Sequence, residues 1–366
     1  MVTNEMISET QVLLPSVKKN HSGLRGPKLN VKEGVIDLTH GSGGRAMTQL
    51  IEQLFFAAFD NEWLRQRNDQ ACFSVSAGQM VMTTDAYVVS PIFFPGGDIG
   101  SLSVHGTVND LAMSGAKPLY LSASFILEEG FPLKDLQVVV ASMANAAKQA
   151  NVAIVTGDTK VVERGKGDGI YITTTGIGVV PNGIHLSGEQ AKPGDHVIVS
   201  GYIGDHGVAI MSHRHHLQFQ TTIQSDAASL HDLVGQMIQA VPKIHCLKDP
   251  TRGGIATTLN ELARQSQVGF MIDECHIPVR REVASACELL GLDVLYVANE
   301  GKCVVICAPE DSATLLTVMR NHPLGVNAQV IGEVIEDPRH FVQLRTKLGG
   351  MRMVDWLVGE QLPRIC

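Results

Sequence analysis

The sequence predicts a two-domain α/β protein, and three observations carry that prediction. Its 366 residues exceed what one hydrophobic core usually organises and suit two domains. Short apolar, strand-like runs alternate with amphipathic helical stretches. Those runs open repeatedly into glycine loops, in a chain with 36 glycines and only 5% aromatic residues.

Residues 1–34 are polar with scattered Lys and Arg, and Pro15 cuts short the apolar Val12-Leu13-Leu14. This reads as a flexible leader, neither a signal peptide nor a membrane span. The net charge of −8 and the lack of a basic block argue against a nucleic-acid partner. Seven cysteines (Cys72, Cys246, Cys275, Cys287, Cys303, Cys307, Cys366) form no Cys-x-x-Cys pair, which suggests reduced thiols and a cytoplasmic address. Cys303 and Cys307 would share one face of an apolar strand, as core residues.

The first domain is expected over residues 35–182. Val35 to Leu38 leads into His40-Gly41-Ser42-Gly43-Gly44-Arg45, then a helix with Met47, Leu50, Ile51, Leu54 and Phe55 on one face. Such a loop can offer N–H groups to phosphate, or simply make a turn. Residues 71–90 read as a hairpin turning near Ala77-Gly78, whose second strand delivers Asp85, a candidate metal ligand or a strand-terminating acid. Asp98 is a plausible N-cap for a helix through Ala112. Asn109-Asp110 are mediocre helix formers within it, and a metal or phosphate contact would give them a reason. Leu119–Leu127 reads as a strand, Pro132–Ala150 as an amphipathic helix, and Asn151–Val155 as a short strand entering the loop Gly157-Asp158-Thr159-Lys160. That loop is a site for Mg²⁺ and polyphosphate, or a surface ion pair. Ile170–Val180 closes the domain.

The second domain is expected over 183–345. Val197–Ser200 enters the glycine loop Gly201–Gly207. His213, His215 and His216 read as a solvated helix end. Asp226–Ala240 reads as a helix, and Asp249-Pro250-Thr251-Arg252-Gly253-Gly254 as an anion-type loop before another. Asn299-Glu300-Gly301 lies between the apolar runs Leu295–Val297 and Cys303–Ile306. Gln329–Val334 and Phe341–Leu344 are the last strands. Residues 346–366 read as a mobile tail, with Gly349-Gly350 as hinge, Met353, Val354, Leu357 and Val358 as a helical turn, and Cys366 at its end. A terminal cysteine is either chance or a tethered nucleophile able to carry an acyl group. Its own α-carboxylate should raise the thiol pKa and Arg364 should lower it.

Taken together, His40-Gly-Ser-Gly-Gly44, Thr84-Asp85, Asn109-Asp110-Leu-Ala-Met-Ser-Gly-Ala-Lys-Pro118, Gly157-Asp158-Thr159-Lys160, Asp249-Pro-Thr-Arg-Gly-Gly254, Asn299-Glu-Gly301 and the terminal Pro-Arg-Ile-Cys366 resemble the aminoimidazole ribonucleotide synthetase-like ATP enzymes. Within them the chain is most similar to the carbamoyl dehydratases of nickel–iron hydrogenase maturation. The likeness covers about residues 35–366. Selenophosphate synthetase shares the fold, but its reactive residue near the first glycine loop is missing here.

The resemblance implies a two-domain α/β (α+β) fold with ferredoxin-like character in the second domain and a flexible C-terminal tail. It implies a homodimer formed through the first domain's sheet, and ATP with Mg²⁺ between the domains. It also implies that Cys366 receives a carbamoyl group from a HypF-type carbamoyltransferase and carries it through ATP-driven dehydration to a thiocyanate. The cyanide then passes to iron on a HypC–HypD-type scaffold. On this reading Asp85, Asp110 and Asp158 serve Mg²⁺–ATP. Asn109, Lys160, His40, Gly41, Gly43, Gly44, Gly157, Thr159 and Arg252 face the nucleotide, with Lys160 also catalytic. Glu300 is the general base, the alternative being an exposed turn glutamate. The competing class is a nucleotide-binding adaptor whose tail only docks.

Overall fold

The computed structural model describes residues 29–42, 45–66, 71, 73, 78–214, 223–359, 362 and 364–366. Most of the leader, Gly43, Gly44, the first arm of the expected hairpin, His215 and His216 lie outside them.

Short helical segments Arg45–Leu50 (α1), Phe56–Phe59 (α2) and Glu62–Arg65 (α3) precede the first sheet, with a π turn at Ile51–Phe55 between the first two. Gln79–Tyr87 (β1) is followed by a small hairpin of Phe93–Phe94 (β2) and Gly97–Asp98 (β3). Asp98 caps helix Ile99–Met113 (α4) as expected, accepting from the N–H groups of Gly100 and Ser101. Lys117–Glu128 (β4), Leu133–Gln149 (α5), Ala153–Val162 (β5) and Ile170–Val180 (β6) complete this half. The four strands run β1-β6-β4-β5, antiparallel except for β4 with β5.

Alternation decides the sheet's two faces. Leu121, Ala123, Phe125 and Leu127 of β4 face α4 and α5, whose Leu102, Val108, Leu136 and Val139 close the core. The opposite face leaves Met80, Met82 and Ile126 exposed. The helices cross closely at Gly100, where a Cβ would sit 2.2 Å from the Val139 carbonyl oxygen.

The second half holds seven strands: His196–Val199 (β7), Cys246–Lys248 (β8), Gly269–Asp273 (β9), Val304–Cys307 (β10), Gln329–Ile335 (β11), Val342–Arg345 (β12) and Met351–Met353 (β13). Their order is β13-β12-β9-β11-β7-β10-β8, antiparallel except for β12 with β9. Helices Asp205–Arg214 (α6), His231–Ala240 (α7), Gly254–Ser266 (α8), Arg281–Leu290 (α9) and Pro309–Arg320 (α10) flank it. Val304 and Ile306 pack with α8, while Cys303, Val305 and Cys307 pack with α7 and α10. The two cysteines do share a buried face. No helix among the described residues is long and apolar enough to cross a membrane.

Four local readings change. Gly157–Lys160 is strand, not loop, because β5 stays paired with β4 through Ser124 and Asp158. Leu295 lies in a 3₁₀ turn, Val294–Tyr296, capped by Asp293. The helix expected from Asp226 begins only at His231, since the Asp226 carboxylate is held by the Glu300 N–H and Lys302. Met353 ends a strand rather than starting a helical turn, and Gly349 (φ +82°) forms the turn of the β12–β13 hairpin.

Candidate active site

The end of the tail is docked. Val88 N–H donates to the terminal carboxylate of Cys366 at 3.1 Å and Ser90 N–H to the Arg364 carbonyl at 3.2 Å. Arg364 Nε donates to the Val88 carbonyl at 2.8 Å, and its guanidinium also pairs with Asp168. Arg214 Nη2 donates to the Arg364 carbonyl at 3.0 Å. Ile365 is buried in the core beside Tyr87, Val89 and Phe94.

This docking sets the environment of the terminal thiol. Burial raises its pKa strongly, the charges of Glu300 and Asp85 raise it further, and Arg252 opposes them. Arg364, expected to lower it, is instead engaged with Asp168 and Val88.

Glu300 is rigidly presented. Its N–H donates to Asp226 Oδ1 at 3.1 Å and its carbonyl accepts from Asn109 Nδ2 at 2.9 Å. Asn109 also donates to the Ala228 carbonyl and accepts from Leu230 N–H, so one α4 side chain ties the Glu300 loop to the segment before α7. The neighbouring Asn299 accepts from Gly204 N–H and donates to the Pro250 carbonyl. Gly301 is required here, because a Cβ would lie 1.9 Å from the Asp226 carbonyl oxygen. Glu300 is only 3% exposed, which excludes an ordinary turn glutamate, and its Oε1 finds no hydrogen-bond partner among the described residues. Burial, then the charges of Asp249, Asp226, Asp85 and Asp110, raise its carboxyl pKa well above the usual carboxylate range, which strengthens it as a proton acceptor once ionised.

Asp85 lies mid-strand in β1 on the face that meets α4. Its neighbours of the same parity, Thr83 and Tyr87, reach Asp110 and Thr107 there, at 2.8 Å and 3.4 Å. The Asp110 carboxyl is raised, first by burial and also by Asp85, against the pull of the Thr83 bond. Asp249 was not singled out from sequence, although it follows an apolar strand just as Asp85 does. Burial, then the charge of Asp110, pushes it up to about 7. Asp85, Asp110, Asp249 and Glu300 therefore repel one another around one centre. Oxygen ligands of this kind suit a hard cation, which would relieve that repulsion. Among the described residues no three acids, histidines or cysteines already form a metal cage.

The remaining expected residues lie elsewhere. Asp158 and Lys160 sit exposed on β5, on the sheet face away from α4, paired with each other at 2.6 Å. Lys160 holds the Asp158 carboxyl below its ordinary range. Thr159 is buried. His40 is buried, its Nδ1 accepting from Asp37 N–H, and Gly41 packs against Val161 of β5. Within one chain Asp158 and Lys160 stand across the sheet from Asp85 and Asp110, so these four side chains do not converge there. Arg252 is exposed and joins the Cys366 side.

Three further residues went unnoticed in the sequence. Lys302 pairs with Asp226 at 3.0 Å, both side chains being largely buried. Burial works to raise Asp226, yet Lys302, His206 and the Glu300 N–H keep it below the usual range. His206 Nε2 lies 2.8 Å from the Ile365 carbonyl. No motif signalled them, because their partners are distant in sequence.

Comparison with known proteins covers nearly the whole chain. Residues 67–180 match the AIR synthase related protein N-terminal domain, and residues 192–345 the corresponding C-terminal domain. The carbamoyl dehydratase HypE of Cupriavidus necator is 68% identical over 339 residues, 92% of this chain and 97% of that protein. A crystal structure of the hydrogenase maturation protein HypE in complex with ATP superposes with a TM-score of 0.87 at 50% identity, covering 90% of this chain and 99% of that one. A HypE–HypF complex superposes with a TM-score of 0.75 at 50% identity, over 84% and 99%.

Proposed function

The chain belongs to the carbamoyl dehydratase HypE family of AIR synthase related proteins, and from that premise we propose that it uses ATP to dehydrate a carbamoyl group carried on Cys366, supplying cyanide for hydrogenase maturation. The observation that carries this reading is the docking of the chain end, with Val88 N–H on Cys366 and His206 on Ile365, in a protein that also holds Glu300 as a buried carboxyl with an unpartnered oxygen.

A carbamoyl group on Cys366 is a thiocarbamate, whose oxygen is a very poor leaving group. Attack of that oxygen on the γ-phosphorus of ATP forms the O–P bond, releases ADP and frees one proton from nitrogen. The C–O bond then breaks, phosphate departs, the second N–H proton is lost and the C≡N bond is completed. Thiocarbamate and ATP thus become thiocyanate, ADP and phosphate. Glu300 is the base, positioned through its backbone by Asn109 and Asp226. Asp85 and Asp110, with Asp249, would hold Mg²⁺, which supplies positive charge to the phosphates and offsets the repulsion among these acids. Arg252, exposed beside Cys366, faces the phosphates.

Asp158, Lys160, His40 and Gly41 serve the nucleotide from the β5 edge of the sheet, and Gly43 and Gly44 are assigned to it from the sequence motif alone. Two chains meeting through the exposed Met80, Met82 and Ile126 face would bring the β5 edge of one toward the β1 edge of the other, completing a shared site. The partners that follow are a HypF-type carbamoyl donor and a HypC–HypD-type iron acceptor. Intact-mass analysis with ATP, Mg²⁺, carbamoyl phosphate and the carbamoyltransferase tests the reading. A carbamoyl and then a cyano adduct on Cys366 is expected, and an adduct on another cysteine refutes it.

A further inference from the structure

We propose that His206 is the positioning residue that sets the register of the docked tail and thereby the seat of Cys366; the catalytic consequence rests on the reaction proposed above, but the latch itself does not.

A carbonyl oxygen can only accept, so His206 Nε2 donates to Ile365 across 2.8 Å. Nδ1 is then an acceptor, and Ser225 Oγ donates to it at 2.7 Å. Both nitrogens are used in one neutral tautomer, consistent with a fully buried ring whose pKa burial depresses despite the charge of Asp226. Ser225 is itself fixed, its N–H donating to the Pro95 carbonyl and its Oγ accepting from Ala227 N–H at 3.1 Å. Phe94 meets the imidazole edge to face, with centroids 5.7 Å apart. The ring is thus built in from three sides, and its one donor is directed at the tail.

The partner is a backbone atom, and this matters for register. The Arg364 carbonyl and the Cys366 carboxylate accept from the Val88–Ser90 segment, while the Ile365 carbonyl between them meets His206. Arg364 turns the chain in the left-handed region (φ +52°), so these three main-chain bonds fit one placement of the tail and a slip of one residue would break them together. The Val88–Ser90 segment alone grips one side. His206 grips the other, one residue from the thiol, without reading any tail side chain.

The test labels full-length protein with iodoacetamide and maps the rate at Cys366 by mass spectrometry. His206→Asn cannot reach Ile365 and should label about tenfold faster, the scale of losing one buried hydrogen bond to a docked segment. Ser225→Ala frees the ring and should label roughly threefold faster, whereas His206→Gln, whose amide nitrogen replaces Nε2, should stay within about twofold of the parent. With the carbamoyl donor system, His206→Asn should still accept carbamoyl normally but convert it to thiocyanate about tenfold more slowly. Unchanged labelling in His206→Asn and Ser225→Ala, or His206→Gln behaving like His206→Asn, overturns the latch. If His206→Asn does not fold, unchanged labelling in Ser225→Ala overturns it alone. Labelling that rises as expected while carbamoyl lands on another residue leaves the latch standing and refutes the proposed function.

Discussion

Replacing Asp249 by Asn should stabilise the nucleotide-free protein while weakening its hold on Mg²⁺–ATP. Burial, with the charge of Asp110, moves this carboxyl up to about 7 from an ordinary 3.8. A carboxyl whose pKa is higher folded than unfolded binds more protons in the folded state. Its ionisation therefore costs nothing below the unfolded pKa, costs more as pH rises toward 7, and is constant above it. A displacement of about three pKa units corresponds to at most ~4 kcal/mol at neutral pH and above. The side chain is half-buried rather than sealed, so solvent screening reduces the expectation to about 2 kcal/mol. Asn keeps the shape and has no charge to lose. Thermal melts from about pH 4 to about pH 8 without nucleotide should coincide at the acidic end and separate steadily, with the variant melting several degrees higher at the alkaline end. Saturating Mg²⁺–ATP should then raise the melt of the parent protein more than that of the variant. Melts that stay parallel across pH, or a variant that melts lower near pH 8, would show that these acids are not in mutual repulsion and would remove the reason to place a cation among them.

Glu300→Gln should leave the fold intact and stop turnover after carbamoylation, slowing thiocyanate formation by about 10²–10⁴-fold; normal yield by mass spectrometry moves the base elsewhere. Asp85→Ala should weaken Mg²⁺–ATP binding about tenfold or more in calorimetry, through loss of a charge-assisted contact, with the melt nearly unchanged. Asp158→Ala should weaken binding only under conditions where sedimentation shows a dimer, and equal weakening in the monomer would refute the shared site. Residues appended after Cys366 should abolish dehydration while leaving the thiol alkylatable. Cys303 and Cys307, whose thiols burial pushes up to about 12, should resist alkylation in the folded chain.

Periodicity made the elements legible, and the acids that follow apolar runs in the sequence pointed to Asp85 and Asp110, which the fold brings to one face of the first sheet. Asp98 as a helix cap and Cys303 with Cys307 as a buried pair needed only local rules, and both hold. Glycine misled at Gly157, where it signals close approach of β4 rather than a loop: a Cβ there would meet the Ala123 carbonyl oxygen at 2.1 Å. The side of the sheet on which an acid lies was not legible, because it depends on strand register. Asp85 and Asp158 follow similar apolar runs, yet parity sends one toward α4 and the other to the open face. The Asp226–Lys302 pair and the His206 contact were illegible for another reason: each joins residues 76 and 159 positions apart, respectively, with no local pattern at either end.

On the proposed reaction, the docked tail gives a reason for acceptance and dehydration of the carbamoyl group to occur with the tail in different places. Accepting an acyl group requires a thiolate, and in the docked position burial together with Glu300 and Asp85 suppresses ionisation of Cys366. The features that disarm the thiol suit the later step. A neutral thiocarbamate has no thiolate to stabilise, and a dry, acid-lined site raises the proton affinity of the base it needs. On the proposed reaction the tail would be charged outside and converted inside, and the free-energy difference between the two positions would bear on turnover. His206, Arg214 and the Val88–Ser90 backbone set the inner position through bonds to main-chain atoms that carbamoylation of the sulfur leaves untouched. On the proposed reaction, loaded and unloaded tails would therefore dock in the same register, with the latch unchanged.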